Sequence, residues 1–152
     1  MRAAAFDRLR QTFVGAEVSF GTLVMGIDAP DLLDVVGRLR AAGFDLLLDV
    51  TAIDWPARTP RFDVVWHLYS TTDHVRARVK CAVPESDPTV DSLTGMYGSA
   101  AFMERECHDM YGIAFRGNGD LRPILLYEGF AGHPLRKDYA KDHEQPLVRY
   151  RT

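Results

Sequence analysis

The chain has 152 residues, of which 47% are hydrophobic and 26% are charged, and this composition is ordinary for one soluble globular domain. Its net charge of −3 provides no basic excess to neutralise phosphates, which argues against general nucleic-acid binding. The charge is uneven: residues 1–132 carry 13 basic against 18 acidic residues, a net −5, and residues 133–152 carry 5 against 3, a net +2. A basic C-terminal segment on an acidic body suggests docking to an acidic surface, although a solvated terminus is the commoner explanation.

The sequence carries no signal for export or for crossing a membrane. Two cysteines, Cys81 and Cys107, are too few for a disulfide framework. The first residues are charged and have no continuous apolar core, so we expect no signal peptide. No stretch approaches the ~20 apolar residues of a membrane span. We therefore expect a reduced protein on the cytosolic side, which meets a membrane only through partners.

The first third of the chain predicts two helices and two strands. The helices follow from helical spacing over Ala3–Val14 and from a helix start at Asp28–Asp31 that continues to Ala42. The strands are expected over Glu17–Ile27 and Phe44–Asp54. The second strand has a dense apolar centre, which favours burial on both faces and a central place in the sheet.

Two aspartates, Asp49 and Asp54, lie near the end of that second strand. No nucleophile, histidine or second motif stands close to them in the sequence. We therefore expect them to serve in caps and turns rather than in catalysis. The residues from Trp55 to Pro60 then form a turn.

Two alternating segments predict an antiparallel hairpin. Arg61–Ser70 and His74–Val83 alternate apolar and polar residues and are joined by a short connector. The polar positions of the second strand include Arg76, Arg78 and Lys80, which form a basic stripe on one sheet face. Such a stripe is usually the solvated face of an antiparallel sheet, and an anion or partner site is the alternative.

Two more helices are expected after the hairpin. A short one begins at Asp87 or Thr89 and ends at Leu93. The residues Gly95 to Gly98 break it. A longer helix then spans residues 99–111, with Ser99 as its cap.

A helical wheel of residues 99–111 assigns different roles to its charged residues. Glu104 and Arg105 point away from the apolar arc, and Arg105 forms an i,i+4 pair with Asp109. Glu106 falls inside the arc, where a carboxylate without a partner is strongly unfavourable. We therefore expect Glu106 to pair with a cation of the downstream segment: Arg122, Arg136 or Lys137. A rim position open to water is the alternative.

The stretch from Glu104 to Tyr139 contains five glycines and many paired charges. Glycine at this density indicates tight turns or close backbone approach. Irregular segments of this length are usually functional, so we interpret the stretch as a recognition segment.

The sequence offers no self-contained active site. Cys107, His108, His133 and His143 lack the spacings of familiar metal ligands. No nucleophile elbow, phosphate-binding glycine loop or dinucleotide fingerprint occurs. We therefore expect no catalytic, cofactor-binding or metal-binding residues in this chain.

Thirteen residues of the stretch belong to one long, irregular signature: Glu104, Arg105, Glu106, Asp109, Asp120, Arg122, His133, Pro134, Leu135, Arg136, Lys137, Asp138 and Tyr139. The segments E-R-E, D-M-Y-G-I, D-L-R and G-H-P-L-R-K-D-Y carry it. This signature resembles that of the C-subunit family of NADH:quinone oxidoreductase, the respiratory complex I proton pump. The resemblance implies that these thirteen residues bind a partner subunit.

The family resemblance implies a single α+β domain with a mostly antiparallel, mixed sheet, helices packed on one side and an extended C-terminal segment. We divide the chain into a core domain over residues 1–132, with the signature helix 99–111, and a basic docking segment over residues 133–152. The implied role is that of a structural subunit of the peripheral arm, on the cytoplasmic side of the inner membrane.

The implied partners are the quinone-site subunit, which is related to the hydrogenase large subunit, and neighbouring iron–sulfur subunits. Electrons would pass from NADH to quinone through FMN and iron–sulfur clusters in those partners. None would pass through this chain, which is expected to carry no cofactor.

Two departures from the family pattern affect local contacts: Asn118-Gly119 in place of His-Pro, and Pro123 after D-L-R. Two alternative functions also stay open. Related membrane-bound hydrogenases and ferredoxin- or F420-dependent complexes use subunits of the same kind. A free-standing adaptor could instead bind an acidic partner through the basic C-terminal segment.

Overall fold

The computed structural model describes residues 2–143, which contain three α-helices and seven strands. The helices are Arg2–Thr12 (α1), Leu32–Ala41 (α2), preceded by a 3-10 turn at Ala29–Asp31, and Ala100–Tyr111 (α3). The strands are Glu17–Ser19 (β1), Thr22–Ile27 (β2), Leu46–Asp54 (β3), Phe62–Ser70 (β4), Val75–Val83 (β5), Thr89–Asp91 (β6) and Ala114–Arg116 (β7). None of the helices in this range is long and apolar enough to cross a membrane.

Five strands form one mixed sheet in the order β1-β2-β5-β4-β3. β2 and β5 run parallel, and the other neighbouring pairs run antiparallel. β6 and β7 form a separate parallel ladder. The expected α+β class, the mostly antiparallel sheet and the β4–β5 hairpin are confirmed.

Alternate residues of the five-stranded sheet face one hydrophobic core. One row of the register runs from Met25 on β2 through Val79 and Trp66 to Val50 on β3, and all four residues are buried. Buried residues of all three helices belong to the same cluster, so the helices lie on one face of the sheet, as expected. We call this the inner face. The basic stripe lies on the opposite, outer face.

The segment expected as a single strand over Glu17–Ile27 is a hairpin of β1 and β2. Its turn is formed by Phe20 and Gly21, whose φ angles are +48° and +71°. Two successive positive φ values belong to the tight turn whose twist matches that of a hairpin. Asn-Gly or Asp-Gly is the usual sequence signal for this turn, and the phenylalanine conceals it.

β3 is an edge strand, so the expectation of a central, doubly buried strand is wrong. The central strand is β5. A bulge lies between Leu47 and Asp49, and Leu46, Leu48 and Ile53 are 45%, 41% and 37% exposed. An apolar run is typical of a doubly covered strand, but the sequence does not reveal whether anything covers its second face.

The short helix expected to end at Leu93 is the strand β6. It pairs with β7, which places Val90 opposite Phe115, and both residues are buried. The Ser92 N–H also donates to the carbonyl of Arg116 at 2.8 Å. The two strands lie on either side of α3 in the chain, so no local pattern predicts their pairing.

The β1–β2 turn provides a prediction about stability. Phe20 is fully exposed, and a left-handed backbone costs about 1 kcal/mol for a bulky residue but little for asparagine. Phe20→Asn should therefore raise the free energy of unfolding by about 1 kcal/mol, measured by urea titration. Phe102→Asn, at an exposed helical position where the two residues have similar propensity, is the control. Equal changes at both positions would contradict the prediction.

Candidate docking site

Glu104 on α3 is completely buried. Its carboxylate accepts hydrogen bonds from the Leu93 N–H at 2.7 Å, the Ser92 hydroxyl at 2.7 Å and the Asn118 side-chain amide at 2.9 Å. Burial raises the pKa of Glu104, and these neutral donors oppose the rise without cancelling it. Because the folded pKa exceeds the unfolded one, stability from this group is greatest at low pH and falls as the pH rises through the folded pKa.

The predicted pairing of Glu106 with a cation is wrong, and the alternative, a position open to water, is what the structure shows. Glu104 is expected to point away from the core and is buried instead. The helix itself is confirmed. Its buried arc passes through Ala100, Glu104 and Cys107, because the residues after β6 cover α3 on a second side. A helical wheel assigns burial from apolar residues alone. It therefore cannot predict that an acidic residue is buried against hydrogen-bond donors from other parts of the chain.

Replacing Glu104 and Glu106 in turn tests this assignment. Glu104→Gln should lower the free energy of unfolding by about 1–3 kcal/mol. The variant replaces one acceptor oxygen with an NH₂ group, which faces donors of the protein and leaves at least one of them without an acceptor. Glu106→Gln, at an exposed position, should leave the unfolding midpoint unchanged. Denaturant titration of both variants gives the comparison, and a larger loss for Glu106→Gln would restore the original assignment.

Asp109 holds a stretch of the downstream segment by its backbone. One carboxylate oxygen accepts from the N–H groups of Ile124, Leu125 and Leu126 at 3.1, 3.0 and 2.9 Å. Burial alone would raise the pKa of Asp109, but the three N–H groups together outweigh it and keep the pKa below its usual value. The carboxylate therefore fixes a loop that has no secondary structure of its own.

Arg105 holds the same loop one helical turn earlier. Instead of the expected pair with Asp109, its guanidinium donates to the carbonyls of Arg122 at 3.0 Å and Pro123 at 2.8 Å. Asp120 pairs with Arg122 through two hydrogen bonds of 2.7 and 2.9 Å and lies 3.7 Å from Arg105. Residues 120–126 are thus fixed along α3.

Residues 133–136 cap the C-terminal end of α3. The His133 ring, the Leu135 N–H and the Arg136 guanidinium donate to the carbonyl oxygens of residues 109, 110 and 111 at 2.9, 3.1 and 2.6 Å. A helix end leaves such carbonyls without intrahelical partners. Gly112 has φ of +73°, and a Cβ there would lie 2.5 Å from the His133 ring. Only glycine fits this close approach.

Arg61, at the start of β4, is buried beneath the C-terminal segment. It donates to both oxygens of Asp54 at 2.7 and 2.8 Å, to Asp138 at 2.9 Å and to Glu85 at 2.6 Å. Asp54 also accepts from the Lys137 N–H at 2.7 Å. We call these residues the Arg61 cluster. The cap or turn role expected for Asp54 is wrong, because Asp54 closes a buried ion pair instead.

The Arg61 cluster should make stability depend on pH. Hydrogen bonding from Arg61 lowers the pKa of Asp54 more than burial raises it, so this stabilisation is present above pH ~4 and is lost as the pH falls through the folded pKa. Asp54→Asn should cost about 3–5 kcal/mol at pH 7, and the cost should shrink in acid.

Exposed Asp49, on the same strand, supplies the control variant Asp49→Asn. It should change the unfolding free energy little at either pH. Denaturant titrations at pH 7 and pH 3 make the comparison, and a pH-independent cost of Asp54→Asn would contradict the ion-pair explanation.

The thirteen signature residues therefore divide into two groups. Most of the charged ones form hydrogen bonds or ion pairs with other residues of the chain. Several side chains are exposed to solvent: Glu106, Arg122, Leu135 and Lys137. Tyr139 stacks on Phe130 at 6.1 Å between ring centroids, and Pro134 is half-buried. Partner-binding by the signature stays a prediction.

Sequence reasoning missed the roles of Arg61 and Asn118, and the expectation that the apolar residues Ile124 and Leu125 are buried is wrong. Ile124 and Leu125 are 37% and 62% exposed although their backbone is fixed. Asn118 is visible in the sequence only as a departure from the family pattern, and it proves to be a donor to Glu104. Arg61 has no signal, because Asp54 lies across a turn and the other two partners, Glu85 and Asp138, lie 24 and 77 residues further along the chain.

The boundary after Gly132 stays a prediction. Residues 133–138 contact α3 and the Arg61 cluster directly, as described above. Tyr150, which we expect to anchor the docking segment on a partner together with Leu135 and Tyr139, lies outside the described residues.

Within residues 2–143 no group of three or more His, Cys, Asp or Glu side chains is placed to hold a metal ion. Cys81 and Cys107 are both buried and free. Burial raises the pKa of Cys81 to about 11 and raises that of Cys107 as well, so both thiols stay protonated at neutral pH.

Fold and site together define a small α+β protein whose buried charged residues fix an irregular C-terminal segment onto one helix. The family of the respiratory-chain NADH dehydrogenase, 30 Kd subunit, matches residues 25–145, and the chain belongs to this family. The resemblance of the signature to the C-subunit family is thus confirmed.

Curated relatives support the same family. The C subunit of NADH-quinone oxidoreductase from Sinorhizobium medicae is 46% identical over 128 residues, covering 82% of this chain and 63% of that protein. The corresponding protein of Paramagnetospirillum magneticum is 46% identical over 146 residues, covering 93% of this chain and 70% of that protein. The chain thus spans less than two thirds of the length of the first of these relatives.

Two solved structures share the fold. The trypsin-resistant fragment (1-134) of Nqo5 is 31% identical with a TM-score of 0.68, covering 80% of this chain and 100% of the fragment. A chain of the membrane-bound sulfane sulfur reductase, an archaeal respiratory membrane complex, is 25% identical with a TM-score of 0.79, covering 91% of this chain and 85% of its own length.

Proposed function

We propose that the chain is a structural subunit of the peripheral arm of a proton-translocating NADH:quinone oxidoreductase. It docks on the quinone-site subunit through the outward-facing side of residues 120–139. The relatives named as C subunits of NADH-quinone oxidoreductase support the complex. The observation that carries the docking role is the exposure of Leu125 and Leu135 on backbone that the chain itself has fixed.

The fixed backbone matters because binding is opposed by the loss of conformational freedom. Exposed apolar side chains on a mobile loop would have to be ordered on contact, which reduces the net affinity. Here the hydrogen bonds that Asp109 accepts from the loop and that Arg105 donates to it have ordered the loop within the free chain. Leu125 and Leu135 are therefore suited to fill pockets on a partner.

The chain supports electron transfer by position and carries no cofactor of its own. Iron–sulfur clusters and FMN belong to neighbouring subunits in this proposal, and the chain reaches the cytoplasmic face of the membrane through them. We expect the pure, folded chain to show no iron or flavin and no NADH oxidation. A stoichiometric iron or flavin signal, by elemental analysis or absorbance, would overturn this part of the proposal.

An equivalent subunit of a related respiratory membrane complex is the second candidate. The shared fold with a chain of the sulfane sulfur reductase favours it, whereas the higher identity to the NADH-quinone oxidoreductase relatives favours the first. Purification of the tagged chain from its native membranes separates the two. Co-purification of NADH-oxidising and quinone-site subunits supports the first candidate, and their absence overturns it.

The docking surface is tested by variants within that tagged complex. Leu125→Ser and Leu135→Ser should each reduce the recovered quinone-site subunit about tenfold or more, since a buried anchor contributes at least ~1.4–2 kcal/mol to binding. Leu33→Ser on α2, at a leucine with 41% exposure, is the matched control and should leave recovery unchanged. Equal recovery with all three variants would place the docking surface elsewhere.

A further inference from the structure

The outer face of the five-stranded sheet takes no part in the surface proposed above. The helices pack on the inner face, and residues 120–139 contact α3 and the Arg61 cluster. The outer face instead presents the basic stripe on the central strand β5, with Arg76 exposed and Arg78 and Lys80 half-buried. These cations have no role in the docking surface formed by residues 120–139.

Within residues 2–143, the three cations of the basic stripe form no ion pair, whereas nine arginine–carboxylate contacts involve arginines elsewhere in this range. The covered Nε–H of Arg78 has no acceptor in the same part of the chain. Alternate residues of a strand lie about 7 Å apart, so the stripe is a regular row of positive charge.

The stripe also determines the state of its neighbour His67. Arg78 lies between Val24 and His67 in the register, and Asp49 lies beyond His67 on β3. Burial lowers the pKa of His67, the nearby Arg78 lowers it further, Arg76 and Lys80 act in the same direction, and Asp49 opposes them. The imidazole is therefore neutral at pH 7, and the positive charge of the face comes from the three cations.

Exposed apolar residues border the charged row. Leu46 and Ile53 lie on the outer face at the two ends of β3, and they are 45% and 37% exposed. In protein contacts, charge complementarity gives specificity and buried apolar side chains give affinity, and a charged centre with apolar borders offers both. Three carboxylates lie around this row on the outer face: Glu17 on β1, Asp49 on β3 and Asp63 on β4. The positive charge is therefore confined to the row on the central strand.

We propose that the outer face of the sheet is a second docking surface, which takes an acidic segment of another protein subunit with carboxylates spaced about 7 Å apart. A strand supplies this spacing at every second residue, and a helix supplies about 6 Å at every fourth. With docking at residues 120–139 on the other side, the chain then bridges two neighbours.

The same charges fit a membrane surface and residues 144–152 less well. Binding to anionic lipid usually requires clusters of four to eight basic residues, and this face has three cations and three nearby carboxylates. Residues 144–152 contain one acidic and two basic residues, so they do not complement the stripe. An acidic protein segment is the occupant that the charge pattern favours.

The test uses the full-length chain in its native complex, with the charge reversals Arg76→Glu and Lys80→Glu combined. This variant should lower the recovery of one neighbouring subunit at least tenfold. Its fold should be retained, which circular dichroism and a raised His67 pKa by NMR would both report. The matched control reverses Arg10 and Arg40 on α1 and α2 and should leave recovery unchanged. Unchanged recovery with the stripe variant would overturn the proposal.

A photo-reactive residue at position 76 identifies the occupant. The expected product is a cross-link to another subunit, at a peptide with acidic residues two or four positions apart. A cross-link only to this chain or to a peptide without such a pattern would overturn the proposal. Stripe-dependent sedimentation of the purified chain with phosphatidylglycerol vesicles at 0.1 M salt would overturn it in favour of a lipid surface.

Discussion

One buried guanidinium joins parts of the fold that are far apart in the chain. Arg61 bonds to Asp54 at the end of β3, to Glu85 before β6 and to Asp138 in the C-terminal segment. Its planar group also lies over the ring of Phe62, 5.0 Å from the centroid. A buried charge without partners is strongly unfavourable, so these segments have to meet for the fold to be stable. Sheet edge and C-terminal segment are therefore parts of one structure.

α3 likewise holds the irregular segment that follows it, through polar groups that need partners. Its buried or half-buried polar groups find partners outside the helix: Glu104 in the loop after β6, Asp109 in the amides of residues 124–126, and the last carbonyls in residues 133–136. Each buried polar group fixes a loop because leaving it unpaired would cost free energy. The conspicuous charges of the signature thus mainly build a rigid surface, and the exposed apolar residues between them are free for contacts.

The sequence predicts the α+β class, the β4–β5 hairpin, α3 and the family, because each rests on a local pattern or a long motif. It fails where a residue's role depends on distant partners. The helical wheel of α3 predicts that Glu106 is buried. It cannot show that the residues after β6 cover the other side of the helix, where Glu104 lies. The sequence also suggests that β3 is the central strand. Its second face carries apolar residues, and in the structure this face is exposed to solvent. Asp54 is interpreted as a turn residue because nothing in the sequence indicates its pairing with Arg61. The turn at Phe20 is not predicted because phenylalanine is unusual at a position with positive φ, where asparagine is common.

The parallel pairing of β2 with β5 has a consequence for the order of folding. Thr22 lies opposite Arg76, 54 positions later in the sequence, so the two strands meet only after a long loop has closed. Closure of such loops slows folding, since the entropy is lost before the contacts form. During synthesis β1, β2 and α2 emerge first and have no central strand to pair with. We therefore expect the N-terminal third to remain unstructured until β5 has left the ribosome.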